Sequence, residues 1–465
     1  MIDRINDTIA APATLPGTGA VTIVRVSGPE ALSVADSVVK LRSGKIADAR
    51  GYSIHYGEVA DLDEVLVSVF RAPHSYTGED SVEISCHASE YIASELLRRL
   101  FEAGARAAEP GEFTRRAFVN GKMDLSQAEA VADIISSSAE ASHRIAYSQL
   151  KGGFSNELAS LRDQLLETVS LLELELDFGE EDVEFAQREH IRELLDTTIA
   201  HTERLSASFD LGNAIKKGIP VAIAGDANTG KSTLLNALLG EDRAIVSDIA
   251  GTTRDTVEET LSLGGLLFRF VDTAGIRETD EPVERMGIDR TFEAIDRAQI
   301  VLGVLDGTAD EPALLESAGR LADAVKDKDC RLILLLNKAD LGINKSVTSY
   351  NSIVSLVENE EDIISISAKT GLGLEILRER LVSLVKARMG AAGQTLVTNR
   401  RHYEALVEST RHLRSARAAL DSGVPSDLIA EDLRAAIRTL SSITSSPITD
   451  TDILHRIFSR FCIGK

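Results

Sequence analysis

The hydrophobic texture of the chain changes three times. Over residues 1–120, short β-branched and aliphatic runs alternate with helical stretches. Ala20–Val26, Tyr52–Ala60, Glu64–Phe70 and Ser81–His87 read as strands, while Pro29–Lys40 and Ser89–Ala103 read as helices. The turn-rich Glu109-Pro-Gly-Glu112 closes this part. From Leu125 to about Ile215 the period becomes helical: Leu158, Leu161, Leu165, Val169, Leu172 and Leu176 step by three or four and build one apolar stripe. The acids between them, Glu167, Glu173, Glu175 and Asp177, read as a solvated face. Five compact apolar runs follow, Ile219–Ala224, Leu267–Val271, Ile300–Leu305, Arg331–Leu336 and Ile363–Ile366, mostly separated by helical segments. That alternation predicts an open, mainly parallel sheet with crossover helices. Helical spacing then resumes at Tyr403, Leu406, Val407, Thr410 and Leu413, and again at Leu428, Leu433, Ile437 and Leu440.

A length of 465 residues supports roughly three domains. The pattern sharpens that count to an α/β and all-α multidomain chain. It has an N-terminal α+β domain (1–120), a helical domain in two stretches (121–217 and 387–465), and an inserted, doubly wound α/β domain (218–386).

A net charge of -23 argues against a surface that grips nucleic acid everywhere, because non-specific binding comes from Lys and Arg neutralising phosphates. Local basic features remain: Arg115-Arg116 with Lys122, Arg400-Arg401, and Arg411, Arg414 and Arg417. Cys86, Cys330 and Cys462 lie too far apart for a metal knuckle and are odd in number, so neither a structural zinc nor a disulfide framework is expected. With no long apolar run and a polar, acidic start, a cytoplasmic protein without a membrane partner is expected.

Gly225-Asp-Ala-Asn-Thr-Gly-Lys-Ser232 fits G-x-x-x-x-G-K-[ST] and stands between a strand and a helix, beginning at Thr233. Glycines let such a loop wrap phosphates, and its N–H groups and the helix N-terminus favour negative charge. Lys231 is positioned to reach the β- and γ-phosphates, and the Ser232 hydroxyl to ligate Mg²⁺. Asn228, Thr229 and Gly230 complete the loop. Asp272, Thr273, Ala274 and Gly275 follow a strand, where an acid can meet the Mg²⁺ shell and a Gly amide can sense the γ-phosphate. Asn337, Lys338 and Asp340 follow another; the Asp340 carboxylate can accept from guanine N1–H and the exocyclic amine, which adenine would leave unpaired. Ser367, Ala368 and Lys369 are suited to cap the base. In this order, each after a strand, the four segments define a small-GTPase-type domain that binds GTP with Mg²⁺.

The position that often supplies a water-orienting Gln is Ile276, so hydrolysis needs another orienting group and another positive charge. Asn228 and Ser247-Asp-Ile-Ala-Gly-Thr-Thr-Arg-Asp255 offer hard, neutral oxygens. Either these hold a monovalent cation such as K⁺, which would do the electrostatic work of an arginine finger, or they serve structure alone; the residue types allow both.

Several segments carry a resemblance beyond the GTPase set. They are Gly19–Gly28, Ser75-Tyr-Thr-Gly-Glu-Asp80 through His87, Pro110-Gly-Glu-Phe-Thr114 through Glu129, Ala250-Gly-Thr-Thr-Arg-Asp255, and the terminal Phe461-Cys-Ile-Gly-Lys465. On these the chain closely resembles, end to end, the MnmE (TrmE) family of tRNA-modification GTPases. The resemblance implies a folate-binding N-terminal domain that forms a homodimer, a helical domain and an inserted G domain. It implies a K⁺-stimulated GTP hydrolase working with MnmG, a flavoprotein that alone carries FAD. Together they add an aminomethyl or carboxymethylaminomethyl group to C5 of the wobble uridine (position 34) of certain tRNAs. The one-carbon unit would come from a tetrahydrofolate in its 5,10-methylene or 5-formyl form.

Carried over residue by residue, the family pattern puts K⁺ among Asn228, Ser247, Thr252 and the carbonyl of Ile249, and Mg²⁺ on Ser232 and Thr253. Asp248, Ala250 and Gly251 join the nucleotide-binding set, and Glu284 becomes the catalytic acid that positions water, beside Lys231. Arg25, Glu83, Lys122 and Lys465 would hold the folate. Cys462 is the candidate functional thiol, a role that competes with a tail folding into the folate and tRNA site. Departures are Ala88 and Ser89 where the family usually has glycines, Ala227 and Gly179 where it usually has prolines, and Ser247 where Thr is common. None removes a chemical group that the mechanism needs. The rival readings are a ribosome-assembly GTPase switch without modification chemistry, and a non-enzymatic scaffold; the intact Lys231, Ser232 and Asp272 set speaks against the scaffold.

Overall fold

A computed structural model describes residues 6–177, 184–240, 259–271, 293–342, 352–393, 395–445 and 464, with the side chains of 174–177 and 184–187 left aside. The chain forms two compact units. The first comprises Met1–Ala132, Ser148–Leu195 and His412–Lys465; the second comprises Asp133–Tyr147 and Asp196–Arg411.

In the first unit, β1 (Ile9–Pro12), β2 (Gly19–Ser27), β3 (Lys40–Leu41), β4 (Ser53–Val59), β5 (Asp63–Phe70), β6 (Ser81–Ala88) and β7 (Arg106–Ala107) form one sheet. Its order is β3-β4-β5-β6-β2-β1-β7, and only the β1–β7 edge is parallel. Alternation decides its two faces. Val24, Val26, Val67, Val69, Val82 and Ile84 point into a core sealed by helices α1 (Ala31–Val38) and α2 (Glu90–Glu102), through Ala35, Leu96 and Leu100. The residues between them, Arg25 and Glu83 included, line the opposite face. The helix expected over Pro29–Lys40 is shorter: at Val39 the backbone turns extended, and Lys40–Leu41 joins the sheet edge beside Glu58 and Gly57. In the same unit the long helix Gly153–Asp177, carrying the stripe from Leu158 to Leu172, packs against the helix Ser426–Thr444.

The second unit holds β8 (Ile219–Ala224), β9 (Glu259–Leu263), β10 (Leu266–Phe270), β11 (Ile300–Asp306), β12 (Arg331–Asn337) and β13 (Ile363–Ser365), in the order β13-β12-β11-β8-β10-β9. All neighbours are parallel except the β9–β10 hairpin. The apolar runs are continuous because both faces are covered. Val221, Ile223, Leu302, Val304, Ile333 and Leu335 pack under the helices Lys231–Leu239 and Leu374–Ala392. Ala222, Ala224, Val301, Leu305, Leu334 and Leu336 pack under the helix Glu311–Val325. That helix begins cleanly because Asp310 Oδ1 accepts from Ala313 N at 3.1 Å and Pro312 occupies the first turn. The carboxyl ends of β8, β11, β12 and β13 share one edge of the sheet, which is where ligands bind in open α/β folds.

Candidate functional site

At that edge β8 runs into the loop 225–230 and the helix Lys231–Leu239. Glycine is required at both ends of the loop. Gly225 has φ +149°, and a Cβ there would fall 2.2 Å from the Val304 carbonyl oxygen; Gly230 has φ +98°, and a Cβ would fall 2.3 Å from Asn337 Nδ2. Asn228 also adopts a left-handed backbone, φ 58°. Lys231 Nζ donates to the carbonyls of Gly225 (2.9 Å) and Asp226 (2.7 Å), and Thr229 Oγ1 donates to the latter at 2.9 Å. Burial pushes the Lys231 pKa below the usual lysine value, partly offset by the Asp226 carboxylate.

The end of β12, separated from β8 by β11, supplies the other half. The buried Asn337 donates through Nδ2 to the Thr229 carbonyl (2.7 Å) and accepts through Oδ1 from Ala368 N (2.9 Å). Ser367 Oγ donates to Asp340 Oδ1 at 2.7 Å, and Thr370 N donates to Ser367 Oγ at 3.2 Å. Thr229, Gly230, Asn337, Asp340, Ser367 and Ala368 therefore form one connected cluster. Lys338, at φ 65°, sends its ammonium to Asp306 at the end of β11, 2.6 Å away. Burial would raise the Asp306 pKa, but hydrogen bonds from Lys338 and Thr308 outweigh it and hold the carboxyl below the usual range.

In the first unit Arg25 and Glu83 are register partners across β2 and β6. Arg25 Nε donates to Glu83 Oε1 at 2.9 Å, and Nη1 reaches the Gly464 carbonyl at 3.3 Å, next to the chain end. The guanidinium lies 5.4 Å from the ring centre of Tyr76 and 5.5 Å from that of Phe113. The Tyr76 hydroxyl shares a 2.8 Å hydrogen bond with Thr114, and burial pushes its pKa up. Lys122 Nζ donates to the Pro73 carbonyl, and its stem packs on Gly78, so the segment 73–79 touches both Lys122 and, through Tyr76, Arg25.

The same unit holds a half-buried charge network centred on the buried Glu112 and Arg116. Arg106 and Arg116 share Glu112 and Asp7, and Arg116 also meets Glu79. Burial alone would raise the Glu112 pKa. The bond from Arg106, the Glu109 N–H and the charge of Arg116 outweigh it and lower the pKa to about 2.

Two family profiles divide nearly the whole chain: "GTP-binding protein TrmE N-terminus" matches residues 8–122, and "MnmE helical domain" matches residues 125–462. The chain belongs to the MnmE family. It is similar to proteins named tRNA modification GTPase MnmE from Flavobacterium johnsoniae (47% identity over 471 residues, 99% of each chain) and Christiangramia forsetii (48% over 475 residues, 99% of this chain and 100% of the relative). The Bacteroides fragilis protein of the same name is 48% identical over 470 residues, with 99% and 100% coverage.

Several MnmE positions singled out above lie outside the described residues: Ser247–Thr253, Asp272–Gly275, Ile276, Glu284, Cys462 and Lys465. Ser232 and Thr233 open the helix after the loop, and Lys369 is exposed beside Ala368. Ala88 is the register partner of Gly19, and Ser89 is the residue preceding α2. Cys86 is buried, and its thiol is pushed up to about 11 by burial and by Asp63. Sequence reasoning missed Asp306 and Asp226. The first could have been found as the acid ending the apolar run Ile300–Leu305; no sequence signal marks the partner of the second. Among the described residues no helix is long and apolar enough to cross a membrane.

Proposed function

We propose that this MnmE chain is a K⁺-stimulated GTP hydrolase. With an MnmG-type flavoprotein and a tetrahydrofolate one-carbon donor, it adds an aminomethyl or carboxymethylaminomethyl group to C5 of the wobble uridine of certain tRNAs. The observation that carries the GTPase part is the Asn337 amide, which joins the phosphate loop at Thr229 to the base-side segment at Ala368 and so makes one site of two motifs. The names of the relatives, tRNA modification GTPase, support the tRNA part.

In this reading residues 218–386 form the G domain, inserted between helical stretches 121–217 and 387–465, with the folate-binding and dimerising domain at 1–120. Lys231 exchanges the carbonyls of Gly225 and Asp226 for phosphate oxygens, and Asp340 reads the guanine edge with Ser367 holding its second face. Ser232 and Thr253 would hold Mg²⁺. Asn228, Ser247, Thr252 and the Ile249 carbonyl would hold K⁺, a donor set of neutral oxygens that suits a weakly hydrated monovalent ion. A bound cation there supplies positive charge where phosphate charge develops, and Glu284 orients water.

The Arg25–Glu83 pair supports the folate site: a pterin edge offers donors to a carboxylate, and Lys122 and Lys465 suit a glutamyl tail. The carbonyl of Gly464 at Arg25 supports a tail that folds into this site, with Cys462 three residues from the end. Ile54, Tyr56 and Leu66, all exposed on the open sheet face, support a second copy covering it. Mass spectrometry of wobble uridine in tRNA from cells lacking this protein tests the assignment; an unchanged modification profile would defeat it.

A further inference from the structure

The phosphate loop carries an acid, Asp226, directly after its first glycine. A carboxylate beside a triphosphate site opposes the ligand's own charge, and its field already reaches the Lys231 ammonium. Its oxygens are taken up by the helix Glu311–Val325. Arg320 Nη2 donates to both, at 2.8 and 2.9 Å, and Ser317 Oγ donates to Oδ2 at 2.5 Å. Glu316 accepts from Arg320 Nη1 at 3.0 Å and steadies the guanidinium. The main chain of the same residue faces the other way, its carbonyl accepting from Thr229 and Lys231. One residue thus ties the start of the loop to a neighbouring helix while presenting the carbonyl on which the phosphate-binding lysine rests.

We propose that Arg320, with Ser317, is a positioning residue for GTP: it neutralises Asp226 and fixes the first turn of the phosphate loop so that Lys231 can transfer to the phosphates. This rests on the nucleotide reading of the loop. Both partners are about half exposed, so the pair adds little to folding; its effect falls on ligand charge.

The test uses the full chain in K⁺ and Mg²⁺, measuring GTP affinity with a fluorescent GTP analogue, together with KM, kcat and Tm. Arg320→Ala should raise Kd and KM about fivefold, with kcat within about twofold and Tm unmoved. Arg320→Lys should restore most of the affinity. The double variant Asp226→Asn/Arg320→Ala should also recover it, because the uncompensated carboxylate is gone. The gap between wild type and Arg320→Ala should narrow as salt rises. An unchanged KM in Arg320→Ala, or a double variant no better than the single, would overturn the proposal. A fall in Tm without rescue by Asp226→Asn would also overturn it and make the pair structural. If wild-type protein itself fails to bind GTP, the nucleotide reading fails instead.

Discussion

The side-chain amide of Asn337 donates to the backbone carbonyl of Thr229 across 108 residues of sequence, at 2.7 Å and out of contact with water. With one donor and one acceptor of its amide used inside the protein, Asn337 ties the two segments of the site together. Asn337→Ala strands the Thr229 carbonyl and the Ala368 N–H together. A buried group left unsatisfied costs about 1–3 kcal/mol. GTP affinity should therefore fall by about tenfold or more, with a lower Tm, by calorimetric titration and thermal unfolding. Asn337→Ser with unchanged affinity would show that the bridge is dispensable.

Asp340 accepts a hydrogen bond from Ser367 through Oδ1, and a carboxylate has further lone pairs with which to make the proposed contact with guanine. Asp340→Asn replaces an acceptor with a donor, which matches the C2 carbonyl of xanthine instead of the C2 amine of guanine. Competition binding should show GTP weakened by at least about tenfold and xanthosine triphosphate strengthened. Retained GTP preference would remove Asp340 from base recognition.

The parts legible in the sequence are those where one local pattern suffices. β8, β11 and β12 are apolar on both faces, so their runs stand out whatever surrounds them. β1 and β9 are four and five residues long, too short for a period to register, and acquire strand geometry only from β2 and β10. The Arg25–Glu83 pair is invisible for a related reason. Each residue looks like a solvent-facing charge on its own strand, and only the β2–β6 register, across 58 residues, makes them partners. The same holds for Asp226 and Arg320, 94 residues apart. Motifs reveal which groups touch a ligand, whereas the groups that hold those groups depend on tertiary register.

Glu112 has a fully buried side chain shared by Arg106 and Arg116, and its folded pKa is lowered to about 2. A depressed folded pKa means that the carboxylate's contribution is complete above its unfolded value near 4.3 and is lost as pH falls through the folded one. Asp7, in the same network, is shifted in the same direction; burial opposes the shift, and Arg106 and Arg116 outweigh it. Stability of the first unit should therefore drop between about pH 4.3 and pH 2. Glu112→Gln should cost about 3 kcal/mol at neutral pH and flatten that decline, because it removes the buried, titrating carboxylate and leaves Arg106 and Arg116 with Asp7 and Glu79 as acidic partners. Chemical denaturation followed across this range checks both; a slope unaltered by Glu112→Gln would show that other carboxylates dominate.

The proposed cation site is made of neutral oxygens, so its occupant is selected by size and hydration. GTP turnover should be about tenfold or more faster in K⁺ than in Na⁺ at equal ionic strength. Asn228→Ala, which deletes a proposed ligand, should erase the difference while leaving GTP binding largely intact. Steady-state phosphate release in the two salts gives the answer, and equal rates in wild type would dismiss the K⁺ reading.

Gly230 offers the sharpest test of the close approach at the site. Its φ of +98° is strained for any side chain, and a methyl group would lie 2.3 Å from Asn337 Nδ2, where no heavy atom can stay. Gly230→Ala must therefore push Asn337 away from Thr229 or move the loop, and either shift breaks the bridge and disturbs the loop N–H groups of the proposed phosphate site. The strain alone costs about 1–3 kcal/mol. Combined with the lost bridge, it should reduce GTP affinity more than Asn337→Ala does, whereas the double variant Gly230→Ala/Asn337→Ala should recover part of the loss, because the clash is gone. Such non-additivity is the mark of two residues in contact. Strictly additive losses in a double-mutant cycle would mean that the loop tolerates the methyl group elsewhere and that the Gly230–Asn337 approach does not govern binding.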